Sequence, residues 1–75
     1  MSVLSQLAIH ESAIIENVGG DSSHAMRLIA LGFTPGSVVS AVKESVFGGP
    51  RVFSVHGGDI ALREFDADLI HVRLK

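Results

Sequence analysis

Seventy-five residues with no cysteine make one small domain, 1–75, with a thin core. At this size only about 60% of the unfolded surface is buried, and neither disulfides nor thiolate metal sites can staple it. A net charge of −2, scattered basic residues and only four aromatics, all Phe, exclude a nucleic-acid module, which needs a basic stripe and stacking rings.

The chain in order begins with Met1 to Ser12, where Val3, Leu4 and Leu7 have helical spacing over a stretch too short for a helix that stands alone. The expectation is a one-turn helix or irregular lead-in that packs its leucines on the core. Ala13-Ile14-Ile15-Glu16-Asn17-Val18 reads as the first strand, and Gly19-Gly20 ends it. Asp21, with Ser22 and Ser23 behind it, can accept from the free N–H groups of a helix's first turn, where its charge also suits the dipole. Ala25, Leu28 and Ile29 then fall at i, i+3 and i+4, which predicts one buried helix face. Gly32 is placed to be the left-handed residue that follows the helix, with Phe33 folding back on the last turn. Thr34-Pro35-Gly36 has the residues of a type II turn.

Ser37 to Phe47 is the longest β-like run. Val38, Val42 and Val46 share one parity and Val39, Ala41 and Lys43 the other, so its core face is left open. Gly48-Gly49-Pro50 reverses the chain. Arg51-Val52-Phe53-Ser54-Val55 alternates, with Arg51 on the Phe53 side and therefore expected at the wet end of that strand. His56-Gly57-Gly58-Asp59 reads as a tight turn and Ile60-Ala61-Leu62-Arg63 as a strand. Glu64 to Leu69 reads as a single helical turn or tight loop. Ile70, Val72 and Leu74 alternate with His71, Arg73 and Lys75, as a half-buried closing strand would. About five short strands around one short helix, joined by glycine turns, predict a small, strongly bent antiparallel barrel with the helix over one open end.

No apolar run approaches the ~20 residues of a membrane span, and the first residues lack the charged and apolar regions of a secretory signal. The expectation is a soluble, cytoplasmic protein. The serines lie in caps, turns and strands rather than in a strained nucleophile elbow. Asp66 and Asp68 read as a turn charge and a cap in an exposed turn, with no burial to separate their acidities. Gly19-Gly20-Asp21 precedes a helix, but the carboxylate at the cap would repel a phosphate. These readings predict a protein that is not an enzyme.

Two kinds of binding residue remain. His56 and Asp59 flank Gly57-Gly58 and could both reach a divalent ion such as Fe²⁺ or Zn²⁺; His10-Glu11 offers a second such pair. Neither pair has a third ligand nearby in sequence, where a transition-metal site takes three or four. The default is therefore no resident cofactor. Met26 lies off the helical stripe beside Arg27, and Phe47 with Gly48 sits at a glycine turn. If exposed, these residues form an apolar patch of the kind that marks a partner surface. Open strand edges also allow a homodimer or pairing with a partner's strand.

The combination Arg27-Leu28…Leu31-Gly32-Phe33…Pro35-Gly36, then Phe47-Gly48-Gly49-Pro50, then Ile60-Ala61-Leu62-Arg63 resembles the FeoA family across nearly the whole chain. The chain departs from the family's frequent pattern at Met26, where a second basic residue often stands, and at Val46-Phe47-Gly48-Gly49-Pro50, where the family often has Pro-Leu-Gly-Asp-Pro. The resemblance implies an SH3-like β-barrel with one inserted helix. It also implies a cytosolic accessory role beside FeoB, the ferrous iron transporter, with docking rather than catalysis as the activity. The same domain type ends iron- and manganese-dependent repressors, which implies an alternative: a stand-alone metal-responsive regulatory domain.

Overall fold

The computed structural model describes residues 2–44 and 48–75. Among these residues six strands form one antiparallel sheet: β1 (Ser2–Val3), β2 (Ser12–Val18), β3 (Val38–Lys43), β4 (Arg51–Val55), β5 (Gly58–Leu62) and β6 (Ile70–Leu74), in the order β1-β6-β2-β3-β4-β5. A 3-10 turn follows β1 (Leu4–Gln6), helix α1 (Ser22–Ala30) joins β2 to β3, and the one-turn helix α2 (Glu64–Ala67) joins β5 to β6. The chain is therefore mainly β with a small SH3-like architecture. β1 is the strand that the residue pattern did not reveal, because two residues cannot display a period; they pair with His71 and Val72 of β6.

The core gathers the inward positions of the curved sheet: Ala13 and Ile15, Val39 and Ala41, Phe53 and Val55, Leu62, Ile70 and Val72. Leu4 and Leu7 close it from the lead-in segment, as expected, and Leu28, Phe33 and Ala67 close it from the helices and the α1 exit. Pairing resolves the ambiguity of β3. Val39 faces Ala13 on one side and Val55 on the other, so Val39 and Ala41 take the core and Val38 turns outward. The last three residues of that expected run, 45–47, lie outside the described residues. Leu74 has the parity of the core face and sits opposite Ala13, yet is 52% exposed. It is the last residue of β6, where the sheet runs out, so the dry face of this strand extends only over Ile70 and Val72.

Helix α1 starts and stops as its sequence demands. The Asp21 carboxylate accepts from the His24 N–H at 2.8 Å and from the Ser23 hydroxyl. At the other end the Gly32 N–H donates to Ile29 O (2.9 Å) and the Phe33 N–H to Leu28 O (3.2 Å). Those two bonds are a Schellman motif, and Gly32 at φ 121° supplies its left-handed residue. Thr34–Ser37 then turns with a Thr34 O to Ser37 N–H bond and Gly36 at φ 91°, the geometry of a type II turn. The predicted buried face narrows in the structure. Leu28 is fully buried and Ala25 half-buried, but Ile29 is 37% exposed. Leu28 is thus the one side chain of α1 that is fully buried in the core.

The hydrogen bonds that Asp21 accepts hold its carboxyl below the usual carboxylate range, the His24 N–H being the largest cause and the Ser23 hydroxyl the next. A carboxyl whose acidity rises on folding stabilises above its unfolded pKa, and that contribution is lost as pH falls through the folded value. Asp21→Ala is therefore expected to lower Tm at neutral pH, with the difference from wild type shrinking as pH is taken below 4, followed by circular dichroism. A difference that stays constant down to pH 2 rejects the charged cap.

Candidate functional site: the outer face of α1 and its junction with α2

The Met26 side chain projects from the far side of α1, 68% exposed. It lies about 160° around the helix from Leu28, which explains why it shares nothing with the core. Ile29 and Ala30, at i+3 and i+4 from Met26, extend an apolar strip along this outer face, and both are exposed. Arg27 borders the strip. Its guanidinium reaches across to α2 and donates to the Asp66 carboxylate at 3.2 Å. His24, one turn earlier, places Nε2 2.6 Å from the same Asp66 oxygen.

Asp66 is therefore not the exposed turn charge read from the sequence. Its side chain is 14% exposed and ties α1 to α2 through two partners. The reason lies in α2: Ala67 points into the core, and the residue before it faces the neighbouring helix. Asp68 does remain at the surface, where it accepts from the Ser5 hydroxyl. The ring of Phe65 points away from the core, 67% exposed, and meets the edge of the His24 ring with centroids 5.4 Å apart. The sequence reading passed over Phe65. The available signal was Ala67, because two residues apart on a helix means about 200° around it, so burying a small Ala67 sends Phe65 outward.

The other partner-binding candidates separate. Gly48 is exposed at φ 75°, with open space where a Cβ would be. Phe47 lies outside the described residues.

The turn holding His56 is shorter than expected. Only His56 (φ 52°) and Gly57 (φ 78°) lie between β4 and β5, and both have positive φ, as a type I′ hairpin requires. Gly58 and Asp59 belong to β5, and Asp59 is in register with Ser54. The His56 ring turns the other way, toward the Thr34–Ser37 turn, with Nε2 2.9 Å from Ser37 Oγ and 3.4 Å from Thr34 Oγ1. In the second pair, Glu11 accepts from the Ala8 N–H at 2.9 Å while His10 is exposed. Among the described residues, no three His, Cys, Asp or Glu side chains converge where they could hold an ion. No helix among them is long and apolar enough to cross a membrane.

Comparison with known proteins agrees with this architecture. The model of the FeoA domain matches residues 3–74. A zinc-complexed FeoA from Stenotrophomonas maltophilia, described as an SH3-domain protein and a candidate activating factor for bacterial ferrous iron transport, superposes with a TM-score of 0.83 at 35% identity. That match covers 97% of this chain and 91% of the other. Iron(II) transport protein A of Clostridium thermocellum superposes with a TM-score of 0.89 at 30% identity, over 96% of this chain and 44% of that one. ScaR with bound Zn²⁺ shares the fold, with a TM-score of 0.85 at 19% identity over the whole of this chain and 37% of its own. A search of curated proteins gave no match. On the family-model match and the likeness to the Stenotrophomonas protein, over nearly the full length of both chains, this chain belongs to the FeoA family.

Proposed function

We propose that the chain is a non-enzymatic accessory protein of ferrous iron uptake that docks, as an SH3-like module, on the cytosolic face of a FeoB-like transporter. Family membership supports the process. The observation that carries docking is the outer face of α1, where Met26 stands 68% exposed beside Arg27 on a helix fixed at both ends by its cap and its Schellman turn. A rigid helix presenting an apolar strip bordered by a cation loses little entropy when a partner covers it. Gly48, exposed on the β3–β4 connection, offers a second approach where a partner backbone can come close.

The test is retention of the FeoB-like transporter from detergent-solubilised membranes by a tagged copy of this chain, with and without Fe²⁺. Retention under both conditions is expected, falling at least tenfold for Met26→Ser combined with Arg27→Glu. Met26 is a solvent-facing position, and its change to Ser alone should alter stability by no more than about 0.5 kcal/mol. No retention under either condition, with a metal-dependent change in the free protein, overturns docking and moves the assignment to a metal-responsive regulatory domain.

A further inference from the structure

We propose that the junction of α1 and α2 is a docking surface for a basic segment of a partner protein, with Phe65 as its apolar anchor. This rests on the docking function proposed above and extends the contact from Met26 and Arg27 across to α2. A phenylalanine that is 67% exposed on a domain this small is surface that a partner can remove from water. Phe65 is also held in place. The His24 ring packs edge-on against it, Asp66 fixes His24 at 2.6 Å, and Arg27 donates to the same Asp66 oxygen at 3.2 Å. An aromatic side chain ordered before binding surrenders little rotamer freedom on contact.

Charge selects the class of partner. On or next to α2, beside Phe65 in the chain, are the carboxylates of Glu64, Asp66 and Asp68, and Asp21 caps α1 at the end that carries His24. Against these four there are two guanidiniums, Arg27, already engaged by Asp66, and Arg63 at the start of α2. Glu64, Asp68 and Asp21 are exposed. Glu64 and Asp68 form no ion pair among the described residues, and an apolar anchor flanked by such carboxylates complements a segment that carries an apolar side chain between lysines or arginines, and repels an acidic one.

The test uses ¹⁵N-labelled full-length chain and two probes: a 14-residue peptide alternating Leu and Lys, and its counterpart with Glu in place of Lys. The expected result is amide shifts centred on residues 63–68 and His24 with the lysine peptide, weakening as salt is raised from 50 to 300 mM. Phe65→Ser and the double change Glu64→Lys with Asp68→Lys should each weaken binding at least tenfold, whereas Val38→Ser on the outer sheet face should not. Equal binding of the two peptides, shifts unaffected by Phe65→Ser, or no shifts at 0.5 mM peptide overturn the proposal. Concentration-dependent shifts at these residues without peptide overturn it in favour of a second copy of this chain. Transporter retention is measured separately. A transporter held equally well by wild type and Phe65→Ser leaves the docking function standing and removes this surface, while peptide binding without transporter retention does the reverse.

Discussion

Arg51→Met should lower the stability of this domain by about 3 kcal/mol, the cost of two lost charge-assisted bonds to part-buried backbone carbonyls. For a chain of this size that corresponds to a Tm decrease of more than about 10 °C, measured by thermal and urea denaturation. The sequence placed Arg51 at the wet end of its strand; the structure corrects this. The guanidinium donates to Ser5 O at 2.7 Å and to Leu7 O at 2.5 Å, and lies over the Phe53 ring with its carbon 5.3 Å from the centroid. Its side chain is only 12% exposed. Among the described residues no ladder pairs β1 with β5 to close the sheet, and Arg51 is where β4 is fastened to the lead-in segment instead. Glu44 Oε1 lies 2.9 Å from Arg51 Nε, in ion-pair contact without hydrogen-bond alignment.

Two controls separate the causes. Arg51→Lys keeps the charge, but one ammonium cannot serve two carbonyls as a planar fork does, and about 2 kcal/mol should still be lost. Glu44→Gln removes a partner that is 63% exposed, and the change should stay below about 1 kcal/mol. An Arg51→Met variant within 1 kcal/mol of wild type would show that the lead-in holds its place without Arg51, by Leu4, Leu7 and its backbone pairing with β6 and β3.

Local chemistry made much of this fold legible in the sequence. Asp21, Gly32, Phe33 and Pro35-Gly36 each act within a few residues of themselves, so their roles could be read without knowing the sheet. The same holds for the alternation of Phe53 with Val55 and of Ile70 with Val72. What escaped was set by distant partners. The inward face of β3 depends on β2 and β4, the burial of Arg51 on carbonyls more than forty positions earlier, and the partners of Asp66 on a helix about forty positions earlier. Ile29 and Leu74 erred in one direction: their parity was right, but the surface they face ends before it covers them.

The candidate site was half legible for the same reason. Met26 could be placed off the core stripe by angle alone, and it is exposed. Phe65 required knowing that Ala67 is the residue α2 buries. The two glycines between His56 and Asp59 predict one shared turn, but hairpin register assigns His56 to the corner and Asp59 to a strand.

Phe33→Ala should cost about 3–5 kcal/mol, out of roughly 4–11 kcal/mol expected for a 75-residue domain, so a large unfolded fraction is expected at 37 °C. Phe33 is fully buried, and its N–H bonds to Leu28 O, whose own side chain is fully buried as well. The ring is thus both the core's plug under α1 and the apolar half of the helix's C-terminal lock. Phe33→Leu keeps an apolar plug and should lose under about 2 kcal/mol. Gly32→Ala acts on the lock alone, through its φ of 121° and a Cβ that would stand 3.4 Å from Val55 Cγ1, and should cost about 1–2 kcal/mol. These variants discriminate folding from docking, because α1 carries both Met26 and the His24 that steadies Phe65. Binding to the transporter should follow the folded fraction through this series, falling with Phe33→Ala and persisting with Phe33→Leu below its transition. Loss of binding by a folded Phe33→Leu protein would mean that the partner reads the exact angle of α1 rather than the side chains it displays.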